Sequence, residues 1–125
     1  MFENEYVKKI TGYEGYNLTD KVKYEYISTN KAENFSGRLL GGCLDVLIML
    51  CGTKYDKTVE FVRKYKEDGI IWYLESFDLS SARLQCALWQ LKEAGWFEGA
   101  RGFLFGRPCF FREEYETDFN EAVNT

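Results

Sequence analysis

The chain has 125 residues, of which 46% are apolar, 18% aromatic and 29% charged. That composition fits one globular domain with a single hydrophobic core and excludes a disordered chain. A net charge of −4 argues against a nucleic-acid binder, which carries a basic stripe. The chain has no histidine, so no Ser-His-acid or Cys-His catalytic unit can be completed from its own residues.

Residues 1–20 are polar, with Gly12 and Gly15 flanking Tyr13 and Glu14, and read as a linker. Lys21 to Ile27 alternates charged and apolar residues, the period of a half-exposed strand. After a polar turn, Phe35 to Leu40 forms a second strand candidate. It ends at Gly41-Gly42, a pair that permits a tight turn or a close backbone approach. Leu44, Leu47, Ile48 and Cys51 recur at helical spacing before Gly52, a helix stop. Asp56 is placed to cap a further helix through Val59, Val62 and Tyr65, ending at Gly69. Its basic cluster Arg63-Lys64-Tyr65-Lys66 lies among Glu60, Glu67 and Asp68, a solvated helix face rather than a phosphate site.

The next stretch, GIIWYLESFDLS (69–80), is an apolar strand that terminates in a carboxylate, Glu75. Asp78 or Ser80 then caps a helix whose apolar face is Leu84, Ala87, Leu88 and Leu91, with Gly95 beyond it. Gly102 to Gly106 is a short strand closed off by Pro108. Tyr115, Phe119 and Val123 recur every four residues and predict a terminal helix over 112–123. Trp72 and Trp89 read as core, Trp96 and Phe97 as partly exposed. The order β-β-α-α-β-α-β-α specifies a single small α/β domain with a mixed sheet flanked by helices over residues 21–125. Its later strands, apolar throughout, are expected to be covered on both faces.

No apolar run approaches the roughly 20 residues of a membrane span, and the N-terminus lacks a signal-peptide core. The expectation is a cytoplasmic protein with no membrane and no nucleic-acid partner. Cys43, Cys51, Cys86 and Cys109 contain no C-x-x-C pair. Without histidine a zinc site needs all four thiolates from scattered positions, so buried, reduced cysteine is the ordinary reading and a metal site is not expected.

Two accounts of Glu75 stand side by side. A strand-end acid can cap the next helix or meet a surface lysine. Binding and catalytic groups also collect at the carboxyl ends of strands in open α/β sheets, where an acid can orient a histidine tautomer and stabilise the imidazolium.

The blocks Phe35-Ser36-Gly37-Arg38-Leu39-Leu40-Gly41-Gly42-Cys43-Leu44-Asp45, Cys51 to Asp56, Tyr73-Leu74-Glu75-Ser76, Trp89 to Gly95 and Gly102 to Arg107 occur in an order that closely resembles the C-terminal domain of the serine LD-carboxypeptidase family. That family includes murein tetrapeptide carboxypeptidases and microcin C self-immunity peptidases, and the resemblance covers residues 14–120. It implies a swivelling β/β/α-like fold and a Ser-Glu-His triad in which Leu74-Glu75 matches the glutamate segment. The implied serine lies in an N-terminal nucleophile-bearing domain, and the implied histidine follows the strand matching Gly102 to Gly106; neither segment is in this sequence. The expected function is therefore that of a domain fragment, inactive alone. Within a complete serine peptidase it supplies the acid for hydrolysis of an amide between an L-centre and a terminal D-amino acid, in muropeptides (peptidoglycan recycling) or microcin-like peptides.

The remaining candidates carry open alternatives. Gly41 and Gly42 serve a domain interface or substrate approach, or are ordinary turn glycines. Arg38 and Arg107 bind a substrate carboxylate in bidentate fashion, or form structural salt bridges. Cys43, at a helix start, has no base and is assigned no catalysis. The competing functional reading is a non-catalytic interaction module that keeps the fold without the chemistry. Under either reading an isolated half of a two-domain protein exposes apolar area, and a homodimer is an expected consequence.

Overall fold

The computed structural model describes residues 21–27 and 34–124. The elements are β1 (Arg38–Cys43), α1 (Leu44–Leu50), α2 (Thr58–Lys64), β2 (Ile70–Glu75), α3 (Ser81–Glu93), β3 (Ala100–Phe105) and α4 (Phe119–Val123). The three strands form one sheet in the order β1-β2-β3, and both pairings are parallel. Parallel neighbours need crossover connections, and these are α1 with α2, then α3. β1 pairs with β2 from Arg38↔Ile70 to Cys43↔Glu75 without a slip. β3 pairs from Ile71↔Gly102 to Leu74↔Phe105, and a register shift between Ile70 and Ile71 leaves Arg101 as the extra residue.

Alternation along β2 sends Ile70, Trp72 and Leu74 into the core. There they join Leu44 of α1, Val62 of α2, Leu84, Ala87, Leu88 and Leu91 of α3, and Ala122 of α4 in one cluster. Burying each large apolar side chain contributes about 1.5–3 kcal/mol. Aromatic rings extend the cluster towards the C-terminus. Trp72 stacks on Trp96 at 5.9 Å and meets Phe97 edge-on at 5.2 Å. Phe105 and Phe111 both pack edge-on against Phe119.

Several expectations are corrected. The apolar strands are not covered on both faces. On the side away from the core, Leu39, Tyr73 and Leu104 remain 63%, 46% and 49% exposed, because each of the described helices contributes to the single core on the opposite side. Lys21 to Ile27 is not a strand; six exposed residues in a charged, alternating segment offer little apolar surface to recruit a ladder partner. The strand expected at 35–40 lies at 38–43 and runs through Gly41-Gly42 rather than stopping there.

The terminal helix begins only at Phe119. Tyr115 and Glu116 have φ of +55° and +58°, left-handed values that no α-helix accommodates. Asp118 and Glu121 form a reciprocal capping box at the real start. Trp89 is 59% exposed, since the buried stripe of α3 passes through Leu84, Ala87, Leu88 and Leu91. Trp96, expected near the surface, is 1% exposed and donates its indole N–H to Asp56 Oδ2 at 3.0 Å. The cysteines are free, as expected, but Cys43 and Cys51 are only half-buried and Cys86 and Cys109 are exposed. Residues 1–20, expected to form a linker, lie outside the described residues.

Two glycines, Gly41 and Gly52, behave oppositely. At Gly41 an added Cβ would overlap the carbonyl oxygen of Tyr73 across the β1–β2 ladder. At Gly52, φ is +78° with open space around it, the left-handed end of α1. Gly41→Ala is expected to prise β1 from β2 and to cost about 2–4 kcal/mol, within the range of severe single substitutions. Gly52→Ala is expected to cost only about 1–2 kcal/mol, the left-handed penalty alone. Urea denaturation of the two variants checks the difference.

Asp56 ties three segments together. Its carboxylate accepts the N–H of Gly52 at 3.0 Å, the N–H of Thr58 at 2.9 Å and the Trp96 indole. Burial pushes its pKa up, but these donors outweigh burial and hold the carboxyl below 3.8. Because the folded pKa lies below the unfolded one, the contribution is complete above that value and is lost as pH falls through the folded pKa. Asp56→Ala is expected to cost about 1–3 kcal/mol at neutral pH. Denaturation midpoints taken from pH 7 downwards should show the gap to wild type closing below pH 3.8.

Candidate functional site

The carboxyl ends of all three strands lie along one edge of the sheet, and the candidate residues there are Cys43, Glu75 and Gly106. Alternation along β2 turns Glu75 to the uncovered face, beside its ladder partner Cys43. On the other side, Gly106 donates its N–H to the Leu74 carbonyl at 2.7 Å. A Cβ at Gly106 would come within 3.2 Å of the Glu75 Cβ, so the glycine leaves room beside the carboxylate. Glu75 is exposed. Among the described residues the ion pairs are Arg38–Asp68, Lys57–Glu60, Arg63–Glu98 and Arg112–Asp78, and none of them uses Glu75.

The Cys43 thiol donates to Asp45 Oδ2 at 3.5 Å. Burial raises its pKa, and hydrogen bonds to the Asp45 and Glu75 carboxylates add to that, against an opposing contribution from the Asp45 N–H. The group is thus held as a protonated donor facing two acids, not as a thiolate nucleophile.

The loop after Glu75 is clamped from both sides. Asp45, in the first turn of α1, accepts the N–H of Phe77 at 2.9 Å and of Asp78 at 3.1 Å. From the other side the N–H of Cys109 reaches the Ser76 carbonyl at 3.2 Å, and that of Phe110 reaches the Phe77 carbonyl at 2.9 Å. Arg112 pairs with Asp78 at 2.6 Å, which gives Asp78 a role other than helix capping. Ser80 is the N-cap of α3, and its hydroxyl donates to Glu114 Oε2 at 2.8 Å. Phe77 and Phe110 meet edge-on at 5.1 Å and stay exposed, forming an aromatic lip beside Glu75.

Gly41 and Gly42 lie in the second half of β1, leading to this edge. Arg107 follows Gly106 past the end of β3 and is exposed. Arg38 lies apart, at the opposite end of β1, where it pairs with Asp68 at 2.6 Å and sits 3.7 Å above the Tyr65 ring. The clamp by Asp45 and the Phe77–Phe110 lip were not among the residues singled out from the sequence. The only signal was the presence of Asp45 in the GGCLD block, since its acceptor role depends on residues more than thirty positions away. Among the described residues, no cluster of three His, Cys, Asp or Glu side chains is placed to hold a metal, and no helix is long and apolar enough to cross a membrane.

A family model for the LD-carboxypeptidase C-terminal domain matches residues 36–125. The chain belongs to that family. Among solved structures it is similar to a muramoyltetrapeptide carboxypeptidase from Oxalobacter formigenes, with a TM-score of 0.55 and 23% identity over 72% of this chain. The match spans 30% of that protein's chain, and at this identity it speaks to the fold alone. No curated protein matches. Family membership does not favour the non-catalytic interaction module.

The burial and acceptor pattern around Cys43 sets an order of thiol reactivity. With limiting iodoacetamide at pH 8, Cys43 is expected to be modified more slowly than the exposed Cys86 and Cys109. Peptide mass spectrometry over a time course checks this, and a Cys43 that reacts first would contradict the protonated, carboxylate-facing thiol.

Proposed function

We propose that this domain supplies the acid of a Ser-Glu-His triad in a serine LD-carboxypeptidase, with Glu75 in that role. The observation that carries the reading is the placement of Glu75. It ends the central strand on the uncovered face of the sheet, exposed and without a cation partner among the described residues. A purely structural acid gains by pairing locally; an acid that serves a histidine from another segment has to stay accessible.

In the complete protein, the serine Oγ attacks the carbonyl carbon of the amide that joins an L-centre to a terminal D-amino acid. A histidine takes the serine proton and passes it to the departing amine. Glu75 accepts the other imidazole N–H, fixing the tautomer and stabilising the imidazolium. Water then hydrolyses the acyl-enzyme with the same histidine as base. The chain has no histidine, and the nucleophile belongs to an N-terminal domain of the same protein, so the isolated chain is inactive. That domain is also the proposed cover for Leu39, Tyr73 and Leu104; without it, self-association through this face is the alternative fate. The substrate class is a muropeptide tetrapeptide ending in D-alanine, and the setting is cytoplasmic.

The test is D-alanine release from a muropeptide tetrapeptide by the full-length protein, comparing wild type with Glu75→Gln. The expected outcome is a fall in kcat of about 10⁴-fold, the scale known for such an acid-to-amide change, with an unchanged thermal midpoint. Activity within a few-fold of wild type would reduce Glu75 to a structural acid.

A further inference from the structure

The residues around Glu75 differ in how they are held. Among the described residues its carboxylate makes no ion pair, whereas the backbone immediately after it is held on both sides. Asp45 offers one carboxylate oxygen to the Phe77 N–H and to the Cys43 thiol, and the other to the Asp78 N–H. A single side chain on α1 therefore spans the gap between the end of β1 and the third residue past Glu75. The opposing bonds from Cys109 and Phe110 engage the carbonyls of Ser76 and Phe77. With amides turned to Asp45 and carbonyls turned to residues 109 and 110, the chain direction as it leaves β2 is fixed. The ladder bonds of β2 end at Glu75, so nothing within the sheet itself provides this restraint.

We infer that Asp45 is a positioning residue that acts through Glu75, by holding the 76–78 backbone so that the Glu75 carboxylate keeps one direction on the uncovered face. The inference rests on the reading of Glu75 as the triad acid. Asp45 touches neither substrate nor the reacting atoms under that reading. Two features suit it to the task. A carboxylate has acceptors only and can take all three donors at once, which an amide cannot. The same donors outweigh the effect of burial and keep the group ionised, so the clamp persists across the neutral range. An orienting acid displaced by as little as 1 Å can cost a hundredfold in rate.

The experiment is a double-mutant cycle in the full-length protein with the same D-alanine assay. Asp45→Asn retains shape but turns one acceptor into a donor, so at least one of the two backbone bonds breaks. Its expected effect is a fall in kcat of about 10–100-fold with KM within about threefold. Asp45→Glu keeps both acceptors on a longer arm and is expected to recover part of that loss. In the Glu75→Gln background, Asp45→Asn is expected to add less than about threefold, as groups acting as a unit are non-additive. Hydrogen exchange should show the Phe77 and Asp78 amides opening at least about tenfold faster in Asp45→Asn, with the Trp72 amide unchanged.

Wild-type kcat in Asp45→Asn, or an equal fold-loss with and without Glu75, overturns the positioning role while leaving Glu75 as triad acid. So does an Asp45→Asn protein that fails to fold while Asp45→Glu folds with wild-type kcat and wild-type exchange at Phe77 and Asp78. A Glu75→Gln protein with wild-type activity overturns the reading of Glu75 first, and the inference about Asp45 with it.

Discussion

Parallel pairing is the constraint on which the rest of this domain depends. Because β1, β2 and β3 all run the same way, their carboxyl ends share one edge, and a slip-free ladder from Arg38↔Ile70 to Cys43↔Glu75 decides which side chains meet there. The ladder tolerates this only because residue 41 is glycine, since any Cβ would strike the Tyr73 carbonyl. A shift of one residue would send Glu75 into the core and Trp72 into water. The position of one acid on the surface is thus tied to the burial of one of the two largest side chains inside.

The same geometry explains why the two faces of the sheet differ. The connections, α1 with α2 and then α3, contribute their apolar stripes to one core, which is rich in aromatic contacts. The other face receives Leu39, Tyr73 and Leu104, which stay exposed, and none of the described helices lies over them. For a domain of the LD-carboxypeptidase C-terminal family, spanning 30% of the similar solved chain, an exposed face beside an acid with no ion pair among the described residues is a coherent arrangement. Chemistry assembled between domains needs an acid that is firmly placed yet open on one side.

Much of this architecture was legible in the sequence, and the failures share a cause. The β2 run, the α3 stripe and the helix before Gly52 announce themselves because their signals are local: an unbroken apolar run, a 3.6-residue period, a left-handed stop. Glu75 stood out for the same reason, as a charge ending an apolar run. What was misread depends on partners distant in the chain. Trp89 and Trp96 have similar local surroundings, and only the rotation of α3 and the reach of Asp56 to the Trp96 indole decide which one is buried. The tail read as helix from the spacing of Tyr115, Phe119 and Val123, yet left-handed backbone at Tyr115 and Glu116 interrupts it where the Ser81 hydroxyl and backbone Glu114 hydrogen-bond to each other. Two-sided coverage was inferred from apolar composition, which reports that a strand seeks contact without saying what supplies it.

The three tryptophans end up in three distinct environments. Trp72 and Trp96 stack with rings inclined by 21°, close enough for their excited states to mix. Trp96 has a carboxylate on its indole nitrogen, the buried Trp72 nitrogen has no hydrogen-bond acceptor among the described residues, and Trp89 is exposed. The stacked pair should give the folded domain an excitonic signature in circular dichroism, while Trp89 contributes red-shifted emission that is sensitive to added quencher. Loss of the first without change in the second would register disruption of the core beneath β2, separately from events on the outer face of α3. The domain thus carries its own optical readout of which layer has opened.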